Sequence, residues 1–107
     1  MVVTICASLK QKDDILYYKE LFEDYGYTVL TPELNVKNPD IRLMNEIHKF
    51  KISKSDIVLI ISKNKDNVVL GNSVTNEYDH ANSLKKIILI VSRVKEVLNN
   101  ERSNNSK

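Results

Sequence analysis

The run Ile57-Val58-Leu59-Ile60-Ile61 constrains this chain more than any other feature. Five consecutive apolar residues, four of them β-branched, read as a strand covered on both faces, and no stretch of the sequence is more hydrophobic. Val2-Val3-Thr4-Ile5-Cys6 carries the same pattern near the N-terminus. Doubly covered strands belong to parallel sheets, whose neighbouring strands are joined by crossover helices. The segments between the strands can supply those helices.

From Asp13 to Tyr25, the residues Ile15, Leu16, Tyr18, Leu21, Phe22 and Tyr25 recur at helical spacing, and Gly26 stands where a helix C-cap would. Tyr27–Leu30 predicts a second strand, stopped by Thr31-Pro32 because proline cannot donate to a ladder. Asn38-Pro39-Asp40 offers a helix start, and Ile41, Met44, Ile47, Phe50 and Ile52 extend an apolar face to about Lys54. After Ile57–Ile61 comes a polar loop, then a third helix over Ser73–Leu84 with Val74, Tyr78, Ala81 and Leu84 inward. Lys86–Val91 predicts a last strand, and about Arg93–Asn99 a short fourth helix.

The alternation predicts an α/β fold: a single small flavodoxin- or Rossmann-like domain, with a parallel sheet of four to five strands and helices on both faces. Its length of 107 residues allows one domain, placed at residues 1–99, with a polar tail at 100–107 expected to be disordered. A net charge of +2 with scattered lysines argues against a nucleic-acid polymer as partner. Apolar runs of five residues are far short of the roughly 20 that span a bilayer. Met1 leads straight into the first strand with no leader pattern, so a cytoplasmic location is expected. A lone cysteine, Cys6, excludes an internal disulfide and a cysteine metal cluster.

Ligands of such sheets sit at the carboxyl ends of the strands. That edge should carry Ala7-Ser8-Leu9-Lys10, Thr31-Pro32-Glu33, the Ser62–Glu77 segment and Ser92-Arg93. The first loop has a hydroxyl and two lysines but neither the glycines of a dinucleotide fingerprint nor a P-loop. Gly71-Asn72-Ser73-Val74-Thr75-Asn76-Glu77 is more informative: Gly71 allows close backbone approach to a ligand, Asn72 or Ser73 can cap the helix, and Glu77 is placed in its first turn. The dipole there would favour a carboxylate anion, which suits a nucleophile. The lysines at 49, 51 and 54 read as a solvated helix face.

Ile5–Lys10, Gly26–Pro32, Ser55–Ile60, Gly71–Ala81 and Lys86–Ile88, in this order, resemble the nucleoside 2-deoxyribosyltransferase-like superfamily over about residues 2–91. The resemblance implies cleavage or exchange at the N-glycosidic bond of a (deoxy)nucleoside or its 5′-monophosphate. The spacings Ser73-x-x-x-Glu77 and Glu77-x-x-x-Ala81 carry the family's glutamate nucleophile over to Glu77. Ser8 and Lys10 would orient sugar or phosphate, Gly71, Asn72 and Ser73 would shape the pocket through backbone donors, and Asp56 would be a further substrate-binding neighbour. Where relatives carry an Asp eight residues ahead of the third strand's Asp, this chain has His48, expected to donate a proton to the departing base. Ala7 replaces a common Gly, and no second Asp precedes the nucleophile unless Asp66 swings in from its loop.

No metal or organic cofactor is implied. The expected partners are a small nucleoside or nucleotide and further copies of the chain in a homodimer or larger homo-oligomer. Two alternatives keep the fold: a catalytically silent nucleotide-binding or sensing module, and a TIR-like domain that uses its helix-borne glutamate on NAD.

Overall fold

The computed structural model describes residues 1–34, 37–38, 40–63 and 70–92. The expected Arg93–Asn99 helix, the 100–107 tail and Asp66 lie outside the described residues. Four parallel strands, β1 (Val2–Cys6), β2 (Thr28–Leu30), β3 (Ile57–Ile61) and β4 (Ile87–Val91), form one sheet in the order β2-β1-β3-β4. Three helices, α1 (Lys12–Asp24), α2 (Ile41–Ser53) and α3 (Asn72–Ser83), make the crossovers. This is the small flavodoxin-like α/β architecture expected from the sequence. None of the described helices is long and apolar enough to cross a membrane.

The period of two along each strand divides the core. Val3 and Ile5 of β1 and Ile57, Leu59 and Ile61 of β3 face α1, where they meet Ile15, Tyr18 and Phe22. Cys6 of β1 and Val58 and Ile60 of β3 point the other way, against Ile52 of α2 and Val74 and Ala81 of α3. The side chains of both central strands are therefore buried on both faces, which is why their sequences show no polar alternation. Edge strands β2 and β4 are partly exposed.

Two helix ends show how local sequence sets the crossovers. At the end of α1, Gly26 N–H bonds Glu23 C=O at 2.9 Å and Tyr27 N–H bonds Phe22 C=O at 3.1 Å, the paired bonds of a Schellman motif. Gly26 takes φ +89°, and the rings of Phe22 and Tyr27 close the motif with centroids 5.4 Å apart. The end of α3 repeats the pattern with Lys85 and Lys86, but there the left-handed position, φ 56°, belongs to Lys85. A side chain at such a position costs about 1 kcal/mol relative to glycine. Lys85→Gly is therefore expected to stabilise the fold by about 1 kcal/mol, measured by urea unfolding; no gain would show the position is unstrained.

α2 corrects the sequence reading. Ile41, Ile47 and Phe50, taken as its inward face, are 69%, 37% and 62% exposed, and the buried positions are His48 and Ile52. The helix is turned so that a polar ring occupies a core position. Two contacts hold it: Thr4 Oγ1 donates to Lys51 C=O at 3.1 Å, and Cys6 Sγ lies 3.4 Å from His48 Nε2. Thr4 and Cys6 are successive residues on one face of β1, and Lys51 and His48 are one turn apart on α2, which runs back along the strand. A two-residue step of the strand is thus matched to a helical turn.

Candidate functional site

The strand order reverses direction between β1 and β3, and the crevice outside their carboxyl ends opens there. A cavity of about 470 Å³ occupies this place, within the range of small-molecule sites. Its walls come from the loop after β1 (Ala7–Lys10), the loop after β2 (Pro32, Glu33), the inner side of α2 (Met44, His48, Lys51), Lys63 after β3, and the start of α3 (Gly71–Val74, Glu77). Ser8, Lys10, Gly71, Asn72, Ser73, His48 and Glu77, scattered in the sequence, all line this cavity.

Asp56 is the exception. It precedes β3 and so lies at the amino end of the sheet. There its Oδ2 accepts from Val2 N–H at 2.8 Å while its own N–H donates to Val2 C=O at 2.8 Å. Asp56 pins β3 to β1 and does not line the cavity.

Ser8 builds the first loop. Its Oγ accepts from Lys10 N–H, and its own N–H donates to Gln11 Oε1, a reciprocal cap on a 3-10 turn at Leu9–Gln11 that leads into α1. Buried Gln11 also donates to Ser62 C=O at 3.4 Å, tying the loop to the end of β3. The sequence reading passed over Gln11, although a Ser followed three residues later by Gln is a capping signal.

Gly71, rather than Asn72 or Ser73, is the N-cap of α3, and the cap carries no side-chain bond. Glu77 consequently lies in the second helical turn, not the first, and the first turn holds no acidic residue. The helix dipole fades beyond that turn, so burial controls the group instead. Desolvation pushes the Glu77 pKa from 4.5 up to about 7, with the nearby Cys6 thiol acting in the opposite sense. At neutral pH the carboxyl is divided between its two forms, rather than fixed as an anion.

His48 Nε2 is 3.6 Å from Glu77 Oε2. Burial, with the Lys51 charge second, lowers the His48 pKa from 6.5 to about 4, while the Ile5 backbone and Glu33 act in the opposite sense. The ring is therefore neutral at neutral pH, and the contact is not an ion pair. The expected proton donor holds no spare proton there, because the position it takes is dry and faces a lysine.

Cys6 is the residue that sequence reasoning missed. It is fully buried, touches His48 and lies near Glu77, and burial followed by the Glu77 charge keeps it a thiol. Its place as the last residue of β1, at the ligand-binding end of the sheet, was the available signal. Lys51 departs from the solvated face assigned to it: Nζ donates to Thr31 C=O at 2.7 Å and to Glu33 Oε1 at 2.9 Å, joining α2 to the loop after β2 at the cavity wall. Lys51→Met should raise the His48 pKa, followed by NMR titration of the ring; an unmoved pKa would show that the lysine charge does not reach it.

A second cavity of about 390 Å³ lies behind the first, lined by Lys49, Asp79 and His80 among others. Asn45, Ser73 and Glu77 border both.

A 2-desoxiribosyltransferase from Leishmania mexicana superposes with a TM-score of 0.66 at 16% sequence identity, over 85% of this chain and 63% of that one. The likeness is one of fold, and this chain spans less than two thirds of that protein's length. No protein-family model and no curated protein sequence matches the chain.

Proposed function

We propose that this chain cleaves or exchanges the N-glycosidic bond of a (deoxy)nucleoside or its 5′-monophosphate, with Glu77 as nucleophile. The observation that carries the reading is the Glu77 carboxyl, set in the wall of a ligand-sized cavity at the switch point of this fold. In the first step a Glu77 carboxylate oxygen bonds the anomeric carbon as the carbon–nitrogen bond breaks, and the base departs with the electron pair and takes up a proton. Water or a second base then attacks the same carbon and frees the carboxylate. The transition state is cationic at the sugar, so the neighbouring carboxylate also stabilises it.

Lys10 and Lys63 at the cavity, with Lys51 already paired to Glu33, favour an anionic substituent on the sugar, such as a 5′-phosphate. Ser8 and the start of α3 would position the ribose. His48, being neutral, acts by packing against the carboxyl rather than by giving up a proton. Ile41 is apolar and exposed on the cavity rim, which suits closure of the pocket by a second copy of the chain.

The test is chromatographic detection of free base from 2′-deoxynucleosides, their 5′-monophosphates and NAD, with wild type beside Glu77→Gln. Base released by wild type alone supports the reading and identifies the substrate class; release from NAD alone transfers it to a TIR-like NAD glycohydrolase. The neutral state of His48 favours a second reading, a binding module without turnover, because it leaves no stored proton for the departing base. Nucleotide binding that survives Glu77→Gln, with no base released by either protein, would establish that alternative.

A further inference from the structure

Cys6, His48 and Glu77 lie far apart in the sequence but offer one sulfur, one nitrogen and one oxygen within 4.8 Å of one another. We infer that these three side chains form a zinc-binding site whose fourth position faces the cavity. The donor set is the first reason. Thiolate, imidazole and carboxylate together suit zinc, whereas magnesium and calcium take oxygen ligands.

The spacing is the second. Around a tetrahedral zinc with a bond to sulfur of about 2.3 Å and to nitrogen of about 2.0–2.1 Å, neighbouring ligand atoms stand about 3.3–3.6 Å apart. Cys6 Sγ to His48 Nε2 is 3.4 Å, and His48 Nε2 to Glu77 Oε2 is 3.6 Å. Two edges of the tetrahedron are already at length, on side chains supplied by a central strand and two helices packed on it. The third reason is an unmet demand. Among the described residues Glu77 Oε2 is buried with no hydrogen-bond partner, a costly state for a carboxyl oxygen that coordination would relieve.

Binding forms a zinc–sulfur bond and displaces the thiol proton of Cys6 to solvent, together with any proton on Glu77. The inference does not rest on the proposed function, but the two are linked. A zinc-bound Glu77 oxygen cannot attack a sugar, so zinc would inhibit base release.

The experiment uses untagged, metal-free full-length protein titrated with Co²⁺ as a spectroscopic probe and with Zn²⁺ by equilibrium dialysis. The chain has a single cysteine, so a thiolate-to-cobalt charge-transfer band in wild type alone would identify Cys6 as a ligand. The expected result is that band, visible bands of tetrahedral cobalt, and one zinc per chain. Cys6→Ser should abolish the charge-transfer band, and Cys6→Ser, His48→Gln and Glu77→Gln should each weaken zinc by more than about tenfold. His80→Gln, which removes the chain's other histidine, should leave zinc binding unchanged. Absence of the band in folded wild type, zinc binding indifferent to the three substitutions, or loss of binding in His80→Gln would overturn the inference. None of these readouts depends on turnover, so failure of the proposed glycosidic chemistry would be seen separately.

Discussion

With Glu77 replaced by Gln, base release is expected to fall by about a thousandfold or more, while the fold becomes more stable by about 3 kcal/mol at pH 8. The two effects share one cause. A carboxyl whose pKa is about 7 in the folded chain and 4.5 when free binds its proton more tightly when folded. The folded state therefore carries no ionisation penalty below about pH 4.5, acquires it progressively as pH rises, and bears it in full above about pH 7. Gln keeps the shape and removes the charge. The same titration makes base release climb with pH through about 7, since only the anion can attack. Urea unfolding of both proteins at pH 8, beside their base-release rates, checks this. A Gln variant no more stable than wild type would show that Glu77 is not held under strain by its burial.

The second large effect is a pair of opposite pH slopes that wild type conceals. His48, lowered from 6.5 to about 4, has no penalty above about pH 6.5 and the full penalty below about pH 4, because unfolding lets it take up a proton. Between about pH 4.5 and 6.5 the folded chain keeps one proton on Glu77 and none on His48, whereas the unfolded chain holds one on His48 and none on Glu77. Unfolding then moves a proton between the two residues and exchanges none with solvent through this pair.

Each single substitution should expose the partner. Glu77→Gln should lose about 3 kcal/mol as pH falls from 6.5 to 4, and His48→Gln should lose about 3 kcal/mol as pH rises from 4.5 to 7, each relative to wild type. Slopes of the same sign in the two variants would show that the pair shares its proton differently.

The parts of the fold legible in the sequence are those where one physical demand acts alone. β1 and β3 occupy Val2–Cys6 and Ile57–Ile61, the spans assigned from their apolar runs, because burial on both faces permits little else. Gly26 marks the end of α1 because that turn needs a positive φ. The face of α2 was not legible. Its apolar stripe at Ile41, Ile47 and Phe50 is left exposed, and His48 is turned inward by contacts with β1 that no periodicity reports.

The site divides along the same line. Glu77, His48 and the loops at residues 8–10 and 71–73 were placed by spacing within a resembled pattern, and the cavity gathers them. Asp56 was assigned to the site on the same pattern, although a residue just before a parallel strand belongs to the end away from ligands. Cys6 escaped notice because thiols are at home in apolar strands, and its sequence neighbours disclose nothing of a helix 42 residues further along.

Glu77 stands in the partition between the two cavities, and that position gives it two doors. A ligand lodged in the front chamber leaves the rear chamber, floored by Lys49, Asp79 and His80, continuous with Glu77. Asn45 and Ser73 border both chambers as well, so a substitution at either would be felt in the two at once.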